Sequence, residues 1–95
     1  MALPLPPLAP DLDAAEAAFQ RAIEAGPSRL TPSVDLAEMV YAVRKDDARW
    51  RETLEAVINA TLDPTDRDLL ENRRAVSRAR ELLVAGPDRR WVESP

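Results

Sequence analysis

The hydrophobic pattern of this chain is most regular between Ser33 and Leu62. These residues include neither proline nor glycine, and all nine prolines of the chain lie outside them. Within them, apolar side chains follow one another at alternating steps of four and three, a spacing that aligns them on one face of an α-helix. The face comprises Leu36, Val40, Val43, Trp50, Leu54 and Val57, and Asp47 occupies one place in the same series. The pattern predicts one long central helix over residues 33–62.

The charged residues in the middle of this segment allow a second arrangement. Basic Arg44 and Lys45 precede Asp46 and Asp47, which is the order expected where one helix ends and another begins. Against a break, the segment lacks the glycine or proline that usually produces one. Both alternatives therefore stay open. In a continuous helix Asp47 requires a polar partner within the apolar face, whereas at a break Asp46 or Asp47 caps the second helix.

One further helix is predicted on each side of the central segment. Asp11 or Asp13 begins the first, over residues 11–25, and Asp13 and Glu16 have the spacing of a capping box. Pro64 is the first residue of the last, over residues 64–85, and a Gly-Pro pair follows each of the two helices. The predicted apolar faces are Leu12, Ala15, Phe19, Ala22 and Ile23 in the first helix, and Leu69, Val76, Ala79 and Leu83 in the last, with Asn72 within the stripe and Ala75 and Leu82 beside it.

These elements predict an all-α fold, because no stretch shows the period-two alternation of a strand. The expected architecture is a three-helix antiparallel arrangement with a long central helix, since the connectors are short. If the central segment breaks near Asp46 and Asp47, the alternative is a four-helix bundle.

The two ends of the chain are predicted to lie outside the helical domain of residues 11–86. Residues 1–10 include four prolines, which favour an extended arm, and residues 87–95 form a tail. Their apolar side chains exceed what a minimal core requires, and they are the candidate partner-binding residues: Leu3, Leu5, Leu8 and Trp91.

The composition excludes several kinds of chemistry. The chain has no cysteine and no histidine, so thiol catalysis, thiolate metal sites and the commonest general base are absent. Both glycines follow predicted helices, which leaves no glycine-rich phosphate loop. We therefore expect no enzyme activity, no cofactor, no metal and no small-molecule substrate. Since no secretory signal or membrane-spanning run occurs, we expect no membrane association and a cytoplasmic location.

The charge is acidic overall, with a formal net charge of −4. Basic residues are concentrated in the last predicted helix, where Arg67, Arg74 and Arg78 are candidate contacts for nucleic acid or for an acidic partner. Nearby glutamates allow the same arginines to form pairs within the helix instead. Nucleic-acid binding is consequently the alternative hypothesis and not the leading one.

One local pattern resembles a known repeat. Ala15, Phe19, Ala22 and Pro27 have the spacing of the second helix of a tetratricopeptide repeat. The Trp-x2-Leu-Gly-x2-Tyr signature of that repeat's first helix does not occur. The resemblance therefore implies packing as helical hairpins and nothing further.

The leading functional hypothesis is a small non-enzymatic interaction or accessory module that binds another protein or itself, with a homodimer among the possibilities. The alternatives are a nucleic-acid-associated regulator that uses the arginine-rich helix, and an acidic inhibitor protein. Arginine supplies all but one of the 13 basic residues, a bias typical of GC-rich genomes, which indicates a bacterial or phage origin.

Overall fold

A computed structural model describes residues 11–86, and every regular element within them is helical. Helix α1 is Leu12–Ala25. Helix α2 consists of three consecutive stretches, Thr31–Leu36, a π-helical stretch Ala37–Tyr41, and Ala42–Arg44. Helix α3 is Asp47–Ile58 and helix α4 is Leu69–Ala85. The all-α prediction is confirmed for this part of the chain. The predicted arm and tail, with Leu3, Leu5, Leu8 and Trp91, lie outside the described residues.

The central segment is interrupted at Lys45, so the expected long helix is divided into α2 and α3. Lys45 adopts the left-handed conformation, with φ of 60°. Its N–H donates to the carbonyl of Ala42, and the N–H of Asp46 donates to the carbonyl of Tyr41 at 2.9 Å. This pair of hydrogen bonds is a Schellman motif, which satisfies the last carbonyls of α2 without a glycine.

Asp46 is then the N-cap of α3. Its carboxylate accepts a hydrogen bond from the N–H of Arg49 at 3.2 Å, as an N-cap does. Asp47 is the first helical residue and is exposed, so it neither caps α3 nor lies in an apolar face. The regular spacing of Val43, Asp47 and Trp50 across the break is therefore a coincidence of sequence, since Val43 and Asp47 are both exposed.

Helix α4 begins at Leu69 and not at Pro64, and α3 ends before the predicted Leu62. The chain between the two helices forms successive turns. The Asp63 carboxylate accepts hydrogen bonds from the N–H and hydroxyl of Thr65, and the Asp66 carboxylate accepts one from the N–H of Asp68. Aspartate side chains compete in this way with helical hydrogen bonding, and here they delay the start of α4.

One hydrophobic core joins the helices. Helices α2 and α3 supply its large residues, among which Trp50, Leu54, Val40 and Val57 are the largest that are fully buried. The π-helical stretch lets Val40 and the adjacent Tyr41 both face the core. Helix α1 has no fully buried residue and packs against the core through side chains that are partly exposed, among them Ala15, Phe19 and Ile23.

Helix α4 is rotated relative to the predicted face. Its buried residues are Asn72, Ala75, Ala79 and Leu82, whereas Val76 and Leu83 lie at the edge of the core. The two alanines allow α4 to approach α3 closely, because the distance between packed helices depends on the side chains at their contact.

Asn72 forms two hydrogen bonds to the connection between α1 and α2. Its side-chain oxygen accepts from the N–H of Leu30, and its side-chain nitrogen donates to the carbonyl of Ser28, both at 3.0 Å. Asn72 is only 4% exposed, and these bonds satisfy it within the protein. Asn72, predicted to lie within the apolar stripe, is therefore buried and joins α4 to the chain that precedes α2.

We expect Lys45→Gly to raise the free energy of unfolding by about 0.5–1 kcal/mol, because glycine adopts the left-handed conformation without the penalty of a Cβ atom. Lys45→Ala retains the Cβ atom and is the matched control, with little change expected. Urea denaturation of both variants measures the difference. If the glycine variant is no more stable than the alanine variant, the turn at Lys45 is not as described.

We expect Asn72→Ala to lower the free energy of unfolding by about 2–3 kcal/mol, because it leaves the Leu30 N–H and the Ser28 carbonyl without their partner. Asn59→Ala removes the same side chain from an exposed position, where we expect a change within about 0.5 kcal/mol. Urea denaturation again provides the measurement. Equal losses in the two variants would contradict the role given to Asn72.

Candidate interaction surface

The outward side of α4 carries two large apolar side chains. Leu70 is 60% exposed and Val84 is 90% exposed. Ser77, which is also exposed, lies seven residues from each of them. Since seven residues are almost two helical turns, the three side chains form one line along α4, on the side away from the core.

Exposed arginines flank this line on both sides. Arg73 and Arg80 come three residues after Leu70 and Ser77 and lie on one side of the line. Arg74 comes four residues after Leu70 and lies on the other side. None of these three forms an ion pair with another residue of the range 11–86. We call the following set the outer α4 face: Leu70, Arg73, Arg74, Ser77, Arg80 and Val84.

The structure does not bring Arg67, Arg74 and Arg78 together as equivalent surface cations. Arg67 is exposed in the turns before α4, and Arg74 belongs to the outer α4 face. Arg78 instead donates to Glu38 of α2 at 2.5 Å and lies 3.6 Å from Glu81. The hydrogen bond to Glu38 raises the pKa of the Arg78 guanidinium. Arg78 therefore joins α4 to α2, and the arginines more accessible to a partner include Arg73 and Arg80.

A smaller apolar patch lies on α2. Met39 is 58% exposed and Val43, one turn later, is 38% exposed. Asp35 and Glu38 precede Met39 on the same helix, whereas Arg44 and Lys45 follow Val43. Burial, followed by the nearby charge of Glu38, raises the pKa of the Asp35 carboxyl. The charges beside this patch are thus mixed in sign.

A shallow groove of about 350 Å³ is lined by residues of α1, α2 and α3. Its apolar lining includes Ile23, Leu30, Leu36 and Val57, and Gln20, Glu52 and Thr53 also border it. This volume lies near the lower limit for small-molecule pockets. The groove offers no group of titratable residues that would support catalysis.

A polar cluster connects α1 to the turn between α2 and α3. Glu16 of α1 accepts a hydrogen bond from the Tyr41 hydroxyl at 3.1 Å and another from Arg44 at 2.5 Å. Arg44 also pairs with Asp13, and Arg49 of α3 lies 3.7 Å from Glu16. We call Asp13, Glu16, Tyr41, Arg44 and Arg49 the Glu16 cluster.

Sequence reasoning missed the Glu16 cluster because it assigned Glu16 to a capping box. The N-cap of α1 is Asp11, whose carboxylate accepts a hydrogen bond from the N–H of Ala14 at 3.1 Å. Glu16 is consequently available to α2 and α3. The hydrogen bond from Arg44 is the largest cause that lowers the pKa of the Glu16 carboxyl, whereas burial and the bond to Glu16 raise the pKa of Tyr41.

Residues 11–86 contain no group of three or more acidic side chains placed to hold a metal ion. None of the helices in this range is long and apolar enough to cross a membrane.

Comparison with protein-family models, curated proteins and solved structures finds no match to the chain. The similarity of residues 15–27 to a tetratricopeptide helix thus remains a likeness of local pattern.

We expect the Glu16 cluster to make stability depend on pH below about 4.5, the ordinary pKa of a glutamate. Since the pKa of Glu16 is lower in the folded chain than in the unfolded chain, its contribution is complete above that value and is lost as the pH falls through the folded pKa. Glu16→Gln should therefore lower the urea midpoint at pH 7 and reduce its further loss on acidification.

Glu24→Gln is the matched control for this measurement, because it removes a carboxylate of α1 that is exposed and has no ion pair among residues 11–86. It should retain the pH dependence of the unaltered chain. If Glu16→Gln and Glu24→Gln have the same midpoints at pH 7 and at pH 3.5, then the Glu16 cluster does not stabilise the fold.

Proposed function

We propose that this chain is a small non-enzymatic module that binds another protein through the outer α4 face. The observation that carries the proposal is the exposure of Leu70 and Val84 on a line bordered by arginines without intramolecular ion pairs in the described range. Apolar side chains with charged neighbours are typical of protein-binding surfaces, where the apolar residues supply binding energy and the charges supply specificity.

The same observation favours a protein over a nucleic acid as the partner. A helix that follows phosphates presents cations along its outermost line, because each neutralised phosphate strengthens binding. In α4 that line is Leu70, Ser77 and Val84, and the arginines lie to its sides. Arg78, one of the three arginines first considered for nucleic acid, is paired with Glu38 and Glu81.

The absence of histidine and cysteine from the sequence supports a binding role without catalysis. We further propose that the four helices act as one bundle, a view supported by the packing of α1 on α2 and of α3 on α4 around one core. A bacterial or phage origin and a cytoplasmic location belong to the same proposal and rest on the composition.

A pull-down of the tagged chain from a lysate of the organism that encodes it tests the proposal, with captured proteins identified by mass spectrometry. The unaltered chain is compared with the double variant Leu70→Ser/Val84→Ser. The matched control is Met39→Ser/Val43→Ser, which removes two exposed apolar side chains from α2 instead. Circular dichroism shows whether each variant remains helical.

We expect a protein that is captured by the unaltered chain and by the α2 variant, and is reduced by about tenfold or more with the α4 variant. Capture should persist after nuclease treatment. Three results would overturn the proposal: no specific capture, capture that nuclease abolishes, or capture that the two double variants reduce equally.

A further inference from the structure

We infer that the element bound by the outer α4 face is an acidic amphipathic helix of the partner, aligned along α4. This inference rests on the proposed function, because it specifies the occupant of the same surface. It follows from the seven-residue spacing of Leu70, Ser77 and Val84, from the charges beside them, and from the small size of Ser77.

The spacing of the line suits a helix better than a strand or a loop. Leu70, Ser77 and Val84 repeat every seven residues, so on a straight helix the line slants by about 20° per repeat. A second helix that crosses α4 at about 20° follows the same slant, as helices in coiled coils do. Its own apolar residues then meet Leu70 and Val84 in turn.

The charge beside the line determines the chemistry of that helix. Arg73 and Arg80 lie on one side of the line, and Arg74 shares the other side with Glu81, so the three arginines and one glutamate leave the surroundings of the line positively charged. Glutamate or aspartate residues beside the apolar face of the partner helix form ion pairs with these arginines. Glu81 also lies 3.6 Å from Arg78, which forms its shorter contact, at 2.5 Å, with Glu38 of α2.

Ser77 lies at the middle of the line and is its smallest member. A small residue at the crossing point lets two helices approach closely, so that side chains on either side interdigitate. With a large residue at position 77, a partner helix would be held away from both Leu70 and Val84.

A second copy of the chain fits this surface less well. When two outer α4 faces pair in antiparallel fashion, Arg73 of one copy meets Arg80 of the other at both ends of the contact, and these like charges oppose association, whereas only Arg74 meets an opposite charge, that of Glu81. An acidic helix from another protein avoids this repulsion.

Fluorescence anisotropy with synthetic peptides tests the inference on the full chain. The probe is a labelled peptide of 17 residues, the length of α4. It carries leucine at heptad positions and glutamate beside them, and a staple on its outer side keeps it helical. The comparison ligands are a stapled peptide of the same composition in scrambled order and a single-stranded oligonucleotide. The protein variants are Ser77→Trp and, as a control that adds the same bulk on exposed α1 surface, Ala18→Trp.

We expect the patterned peptide to bind about tenfold or more tightly than the scrambled peptide, and Ser77→Trp, but not Ala18→Trp, to weaken it by a similar factor. Equal binding of the two peptides would show attraction by charge alone and overturn the inference, as would tighter binding of the oligonucleotide. Self-association through α4 would also overturn the inference. Sedimentation would reveal it as a dimer of the unaltered chain that the Ser77→Trp variant does not form.

The failure of this inference is distinguishable from failure of the proposed function. If the pull-down identifies a partner that depends on Leu70 and Val84 while the patterned peptide does not bind, then the surface is used by a partner of another shape. If neither experiment depends on the outer α4 face, both proposals fail.

Discussion

The left-handed turn at Lys45 is the constraint on which the rest of the fold depends. Because the chain leaves α2 there and Asp46 caps α3 at once, two short amphipathic helices replace one long one. Their apolar faces then meet in one core around Trp50 and Leu54 instead of extending along a rod. The turn is local and rests on two backbone hydrogen bonds, yet it makes a compact arrangement possible for all four helices.

Polar contacts determine how the outer helices attach to that core. Asn72 holds α4 to the connection before α2, and Arg78 holds it to Glu38 of α2. Helix α1, which has no fully buried residue, relies on partly buried apolar side chains and on the Glu16 cluster. Specific polar contacts between elements define orientation where apolar packing alone leaves it adjustable. The direction of the outer α4 face is thus fixed mainly by residues on the opposite side of the same helix.

The helical class and the apolar faces of α2 and α3 could be predicted from the sequence, because the 3.6-residue period is a local property. The order of charges at residues 44–47 made a break one of two alternatives, but it did not decide between them, since a left-handed lysine has no signature in sequence. The rotation of α4 depends on the bonds from Asn72 to Ser28 and Leu30, which are 44 and 42 residues away. For the same reason, Leu70 and Val84 could not be assigned to the surface until the orientation of α4 was known.

Helix α4 distributes its apolar residues in a way that folding alone does not favour. Ala75 and Ala79 are buried, while Leu70 and Val84 are exposed. Burying a large apolar side chain stabilises a fold by roughly 1.5–3 kcal/mol, which an alanine cannot match. Stability alone would therefore place the larger side chains inward wherever space permits. In α4 small residues face the core and allow close packing against α3. Two large apolar residues face solvent instead, beside arginines that form no ion pair within residues 11–86. Departures of this kind between local sequence and the requirements of folding occur at functional surfaces, which is why we propose the outer α4 face as the binding surface.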